Sequence, residues 1–103
     1  MPKFSTSVSH DLGREEALRR LKSFTDSIRA AYAEHLSEME ENWDDNGNLQ
    51  FAFSAMGLKI DGLLIIEAEL AMVDGQIPFA AVPFRGRIES EIKQQLEIAL
   101  QNS

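Results

Sequence analysis

A chain of 103 residues, 44% hydrophobic and 26% charged, can build one core without a disulfide or metal staple and is unlike a disordered segment. It has no cysteine, which excludes disulfides, thiolate zinc sites and thiol nucleophiles and fits a reducing cytoplasm. A net charge of −7 and a pI near 4.7 argue against nucleic acid as a main partner, because phosphate binding needs a cationic face.

The opening Met1-Pro2-Lys3-Phe4 runs directly into alternation: Phe4, Thr6 and Val8 against Ser5, Ser7 and Ser9. That period of two predicts a half-buried strand and leaves no room for the cationic and apolar regions of a signal peptide. Asp11 is placed to cap a helix, with Glu15 and Glu16 in its first turn, where the helix dipole favours carboxylates. Ala17, Leu18, Leu21, Phe24, Ile28, Ala31 and Tyr32 recur at threes and fours and predict one helix to about Leu36.

From Glu34 to Asp45 the chain is acidic, with Met39 and Trp43 on one strand face and Glu41 between them a misfit or an edge residue. Asn46-Gly47 signals a tight hairpin with φ > 0 at both centres. The central stretch, Leu49 to Ala68, then reads as two adjacent strands meeting near Met56-Gly57. On the second, Leu58, Ile60, Gly62, Leu64 and Ile66 form one face. Leu63 and Ile65 put apolar surface on the other, between Lys59, Asp61 and Glu67. A last strand, Leu70 to Val73, is expected to end at an Asp74-Gly75 turn.

Ile77 to Phe84 is an apolar crossover in which Pro78 and Pro83 disfavour regular helix or ladder pairing. Phe84, Ile88, Ile92, Leu96, Ala99 and Leu100 mark the inner face of a helix from about Phe84 to Leu100. No run of ~20 apolar residues is present to span a membrane. The order β-α-β-β-β-β-α predicts a single α+β domain over 1–103: an antiparallel sheet of four to five strands with two helices on one face. Wrapped around the last helix, such a sheet could be a small helix-grip fold.

Catalytic signals are weak. His10 and His35 are the only histidines, and a continuous helix between them would hold them ~30 Å apart. His10 reads as a surface or capping residue. The acidic segment lacks the alternating ligands of a calcium loop and reads as a charged edge strand. There is no G-x-S-x-G elbow and no glycine loop of phosphate-binding spacing. Arg85-Gly86-Arg87 could meet an anion but reads better as two solubilising arginines beside a close-packed glycine. Asp61 or His10 as a base has no nucleophile or electrophile nearby in sequence. The chain is therefore expected to have no catalytic, cofactor-binding or metal-binding residues.

The surplus apolar residues are the more informative feature. Leu63 and Ile65 suggest a homodimer interface, a docking surface or a curved sheet with a cavity. Phe79 and Val82 could face a lipid-like surface, and Phe84 and Ile88 could contact a ligand. These six are the candidate ligand or partner surface.

His10 with Leu12-Gly13-Arg14-Glu15-Glu16-Ala17, then Trp43, Phe51-x-Phe53, Ala55-Met56-Gly57, Gly62, Pro78-Phe79-Ala80-Ala81 and Ile88-Glu89 follow one another in a specific order. In that order the chain resembles the polyhydroxyalkanoic acid system proteins, or granule-region proteins, of Gram-negative bacteria, from Lys3 to Leu100. The resemblance implies a link to polyhydroxyalkanoate metabolism and brings no catalytic residues with it. Polyester synthases with a cysteine nucleophile, depolymerases with a serine elbow and helical phasins all differ from this chain in what it contains. The expectation is a non-enzymatic, cytoplasmic accessory protein, granule-associated or bound to a protein partner. The alternative is a small carrier that holds an acyl or hydroxyacyl ligand between sheet and last helix, near Phe53, Ile60, Phe84 and Ile88.

Overall fold

The computed structural model describes residues 2–101; Met1, Asn102 and Ser103, which the single-domain expectation included, lie outside the described residues. Five strands, β1 (Lys3–Ser9), β2 (Leu36–Trp43), β3 (Leu49–Ala55), β4 (Leu58–Ile66) and β5 (Leu70–Gln76), form one antiparallel sheet in the order β1-β5-β4-β3-β2. Helices α1 (Arg14–Leu21) and α2 (Phe24–Ala31) and the long α3 (Arg85–Gln101) cover one face. The sheet curls around α3, in agreement with a small helix-grip fold.

The core follows the alternation of β3 and β4. Leu49, Phe51 and Phe53 are buried on β3, and Ile60, Leu64 and Ile66 on β4. Against them pack Leu21, Phe24 and Ile28 from α1 and α2, and Ile92, Leu96 and Ala99 from α3. The Phe24 ring meets Phe51 edge-on at 5.8 Å between centroids, a favoured aromatic geometry.

One cross-strand row explains the curvature. Phe4, Gly75, Gly62, Phe51 and Glu41 are successive partners across all five strands, and they face inward. The two central positions are glycines over which the flanking phenylalanine rings fold. A Cβ at Gly62 would stand 2.8 Å from the Phe51 ring, and one at Gly75 2.2 Å from the Asp61 carbonyl and 2.4 Å from the Phe4 ring. The bend depends on these glycines, because no side chain fits between ring and strand. Asp74-Gly75 is accordingly not the turn its composition predicts. β5 continues through it to Gln76, and Asp74 Oδ1 accepts the Ser5 hydroxyl at 2.7 Å.

Other boundaries also differ. The first helix is two, with Leu18 O accepting from Lys22 N–H at 3.0 Å and Ser23 O from Ser27 N–H at 2.9 Å. The break lets Phe24, Thr25 and Ile28 turn onto β2 and β3, which a straight helix could not follow around a curved sheet. Its cap is Gly13, whose carbonyl accepts from Ala17, and Asp11 lies in the bend before it. The Asn46-Gly47 connection spans residues 44–48. Asp44 Oδ1 accepts from the backbone N–H of both Asn46 and Asn48 at 2.9 Å, and only Gly47 has positive φ. The two-residue turn with positive φ at both centres is Met56-Gly57, at 53° and 80°. A bulge at Glu38 (φ 54°) keeps Leu36 and Met39 on the inner face although their spacing is odd. The crossover forms a 3-10 turn, Phe79–Phe84, between Pro78 and α3.

Candidate functional site

α3 and the inner face of the sheet do not close on each other at the β3–β4 hairpin. They leave a cavity of about 400 Å³, within the ~300–1,000 Å³ usual for small-molecule sites. Its sheet wall is Phe53, Ala55, Leu58 and Ile60, with Leu36 from β2. The other wall comes from Ile88 and Ile92 of α3, and Met56 and Phe84 stand at its mouth, 79% and 53% exposed. The local causes are simple. Ala55 is small where the alternation would otherwise bring a fourth large side chain inward, and the Met56-Gly57 turn carries the strand ends past the end of α2.

The lining is not uniformly apolar. Arg87, Glu91 and Gln95 recur every four residues on α3 and so share a face, beside the Ile88 and Ile92 row. Tyr32 and His35 come from the turn between α2 and β2. The Tyr32 hydroxyl donates to Glu91 Oε2, and Arg87 Nε lies 4.0 Å from Glu91 Oε1. Burial, and then the Glu91 carboxylate, push the Tyr32 phenol above its ordinary pKa, with the Gln95 amide opposing, so the phenol keeps its proton. Gln95 is 8% exposed and is one of two buried polar residues of the described chain. The other, Thr25, donates to Glu41, which accounts for a glutamate between Met39 and Trp43 on the inward face.

The six residues predicted as one surface fall in three places. Phe84 and Ile88 line the cavity, together with Phe53 and Ile60. Phe79 (77% exposed) and Val82 (37%) project from the 3-10 turn beside it. Leu63 and Ile65 lie half-buried on the opposite face of the sheet, where Leu63 sits between Gln50 and Asp74 and Ile65 beside Met72. That face carries a broad open trough of about 1,300 Å³, lined largely by polar side chains including Ser5, Gln50, Asp61 and Asp74. Tyr32, Glu91 and Gln95 were missed by sequence reading. A tyrosine on a helical apolar stripe gives no sign of the glutamate it meets 59 residues later.

The histidines are separate in role. Leu12 N–H donates to His10 Nδ1 at 3.1 Å and His10 Nε2 donates to the Glu67 carbonyl at 3.0 Å, so His10 clamps the β1–α1 and β4–β5 connections. His35 borders the cavity. The continuous helix expected to separate them is broken, so helix length is not what keeps them apart. A Cβ at Gly86 would meet nothing within 4 Å, so that glycine is not close-packed, and Arg87 turns toward the cavity. Among the described residues no group of three or more His, Asp or Glu could hold a metal ion, and no helix is long and apolar enough to cross a membrane.

The model of a protein family described as "Putative polyhydroxyalkanoic acid system protein" matches residues 5–100, nearly the whole chain. The chain belongs to that family. Among solved structures the chain is similar to TTHA0849 from Thermus thermophilus, with 14% identity, a TM-score of 0.58 and coverage of 96% of this chain and 94% of that one. It is also similar to Ara h 8.0201, with 8% identity, a TM-score of 0.54 and coverage of 98% and 99%. At such identities the likeness is one of fold. A search of curated proteins finds no match.

Proposed function

We propose that this protein is a non-enzymatic accessory that works by binding, and that its working part is the cavity between sheet and α3, which takes an acyl or hydroxyacyl chain. The observation that carries the reading is the apolar wall of Phe53, Ile60, Ile88 and Ile92 around about 400 Å³. Hydrocarbon moved from water into such a space gains roughly 25 cal/mol per Å² of buried surface. The ligand class rests on the family, whose polymer is built of hydroxyacyl units. A thermal-shift series with acyl compounds of increasing length tests it, because a ligand of the native state must raise its stability. A melting temperature that rises with chain length supports the reading; a flat response across the series refutes it.

A second reading is favoured by the exposure of Phe79, Val82 and Phe84 on the 3-10 turn beside the cavity. In it the protein stays in the cytoplasm and docks this rim on the surface of polyhydroxyalkanoate granules. Co-sedimentation with isolated granules should then be insensitive to salt and lost in Phe79→Asp/Val82→Asp; salt-sensitive binding, or none, rejects it. Homodimerisation through Leu63 and Ile65 would be a separate property of the other sheet face. Sedimentation velocity of Leu63→Asp/Ile65→Asp tests it, with loss of a dimer expected and an unchanged sedimentation coefficient against it.

A further inference from the structure

The polar residues of the cavity are gathered on one side, where the end of α2 faces α3, while the sheet side is hydrocarbon. We infer that Tyr32, Glu91 and Gln95 form a head-group subsite that selects a chain bearing both a hydroxyl and an uncharged carbonyl, a hydroxyacyl ester, over a plain acyl chain. The inference rests on the cavity reading above and specifies its ligand.

The hydrogen-bond inventory at the subsite gives the selection. The phenol proton is committed to Glu91 Oε2 and the Gln95 amide donates toward the phenol oxygen, which leaves one lone pair there and Glu91 Oε1 as acceptors. A ligand hydroxyl can donate to either of them. Gln95, on the same α3 face one turn beyond Glu91, brings a carboxamide whose remaining N–H can donate to a ligand carbonyl. A plain acyl chain turns hydrocarbon toward these groups and displaces water from the Glu91 carboxylate, which is 39% exposed, without replacing its hydrogen bond, which disfavours it. A free carboxylate faces Glu91 at close range. The nearby cation, Arg87, is 81% exposed and stands 4.0 Å from Glu91, too loosely held to offset that repulsion. His35 is the remaining polar residue of the lining. The head group that suits the set is therefore neutral.

Calorimetric titration of the full chain with methyl 3-hydroxydecanoate and methyl decanoate tests the subsite. The hydroxy ester is expected to bind at least about tenfold more tightly. In Tyr32→Phe, with folding checked by circular dichroism, the gap should fall to within about threefold, because the hydroxy ester loses the phenol oxygen as an acceptor. Equal affinities for the two esters in the unmodified protein overturn the subsite and leave the cavity standing. So does an undiminished preference in Tyr32→Phe. Binding of neither ester overturns the cavity reading and the subsite with it. The comparison of the two esters on the unmodified protein stands whatever the stability of the variant.

Discussion

Filling the cavity from its wall separates binding from folding. Ala55 ends the inward row of β3 after Leu49, Phe51 and Phe53, is half-buried, and lines the cavity. In Ala55→Trp an indole occupies the space that a ligand chain would take. Burying about 150 Å² of ring at ~25 cal/mol per Å² gives a gross gain near 4 kcal/mol. Side-chain ordering and local strain reduce that to about 0.5–2 kcal/mol, the usual return of a cavity-filling substitution. The unliganded variant should therefore melt at or slightly above the temperature of the parent. The ligand response should vanish. At a concentration ~100-fold over Kd a chain stabilises the parent by about 2.7 kcal/mol, or roughly 10–20 °C for a domain of this size. Differential scanning fluorimetry with and without the acyl compound reads both quantities. Ser54→Trp, on the outward face of the same strand, is the control and should keep the full shift. A ligand shift that survives intact in Ala55→Trp would refute the placement of the chain between sheet and helix.

Gly75→Ala places a methyl against the Asp61 carbonyl and the Phe4 ring, so a loss of about 3 kcal/mol is expected in urea unfolding; a midpoint equal to the parent's would mean the bend does not need this glycine. Hydrogen bonds from Arg19 and then Arg20 hold the Glu16 carboxyl down at about 2. With the pKa lowered in the folded state, its stabilisation is complete above the ordinary value near 4.5 and is lost as the pH falls from there through about 2. The melting temperature of Glu16→Gln should accordingly lie below the parent's at pH 7 and converge with it near pH 2; parallel curves from pH 7 to 2 would exclude the linkage. Asp44→Ala removes the acceptor of two loop N–H groups and should cost about 1 kcal/mol, read as faster amide exchange at Asn46 and Asn48 as well as a lower midpoint.

The periodicities were enough to read much of the architecture. Alternation in Phe4–Val8 and Leu49–Ile66 assigned strands and their inner faces, and the threes and fours of α3 assigned its buried stripe, because side-chain direction follows local geometry alone. The cavity residues Phe53, Ile60 and Ile88 could be named for the same reason, since each lies on an inward face; Phe84, expected on the inner face of the last helix, instead ends the 3-10 turn and is exposed at the cavity mouth. Local signals failed where a distant contact decided. Asp74-Gly75 has the composition of a turn, but Phe4 and Asp61 close over Gly75 and keep it in a strand. Lys22-Ser23 lies within an unbroken apolar stripe, yet the helix breaks there to follow a sheet whose curvature is set forty and more residues later. The Ser23-x-x-Asp26 spacing was the one local sign of a second helix start.

The α+β class, the antiparallel pairing, the composition of the core and, through the order of its markers, the family are all legible in the local pattern of the chain. These depend on the spacing of apolar residues and on short connections, both properties of neighbouring positions. The strand order, the bend at Gly62 and Gly75, the separation of Leu63 and Ile65 from the cavity, and the meeting of Tyr32 with Glu91 and Gln95 emerge from the packed fold alone. Each of those rests on residues tens of positions apart, brought together by the packing of α3 into the curve of the sheet.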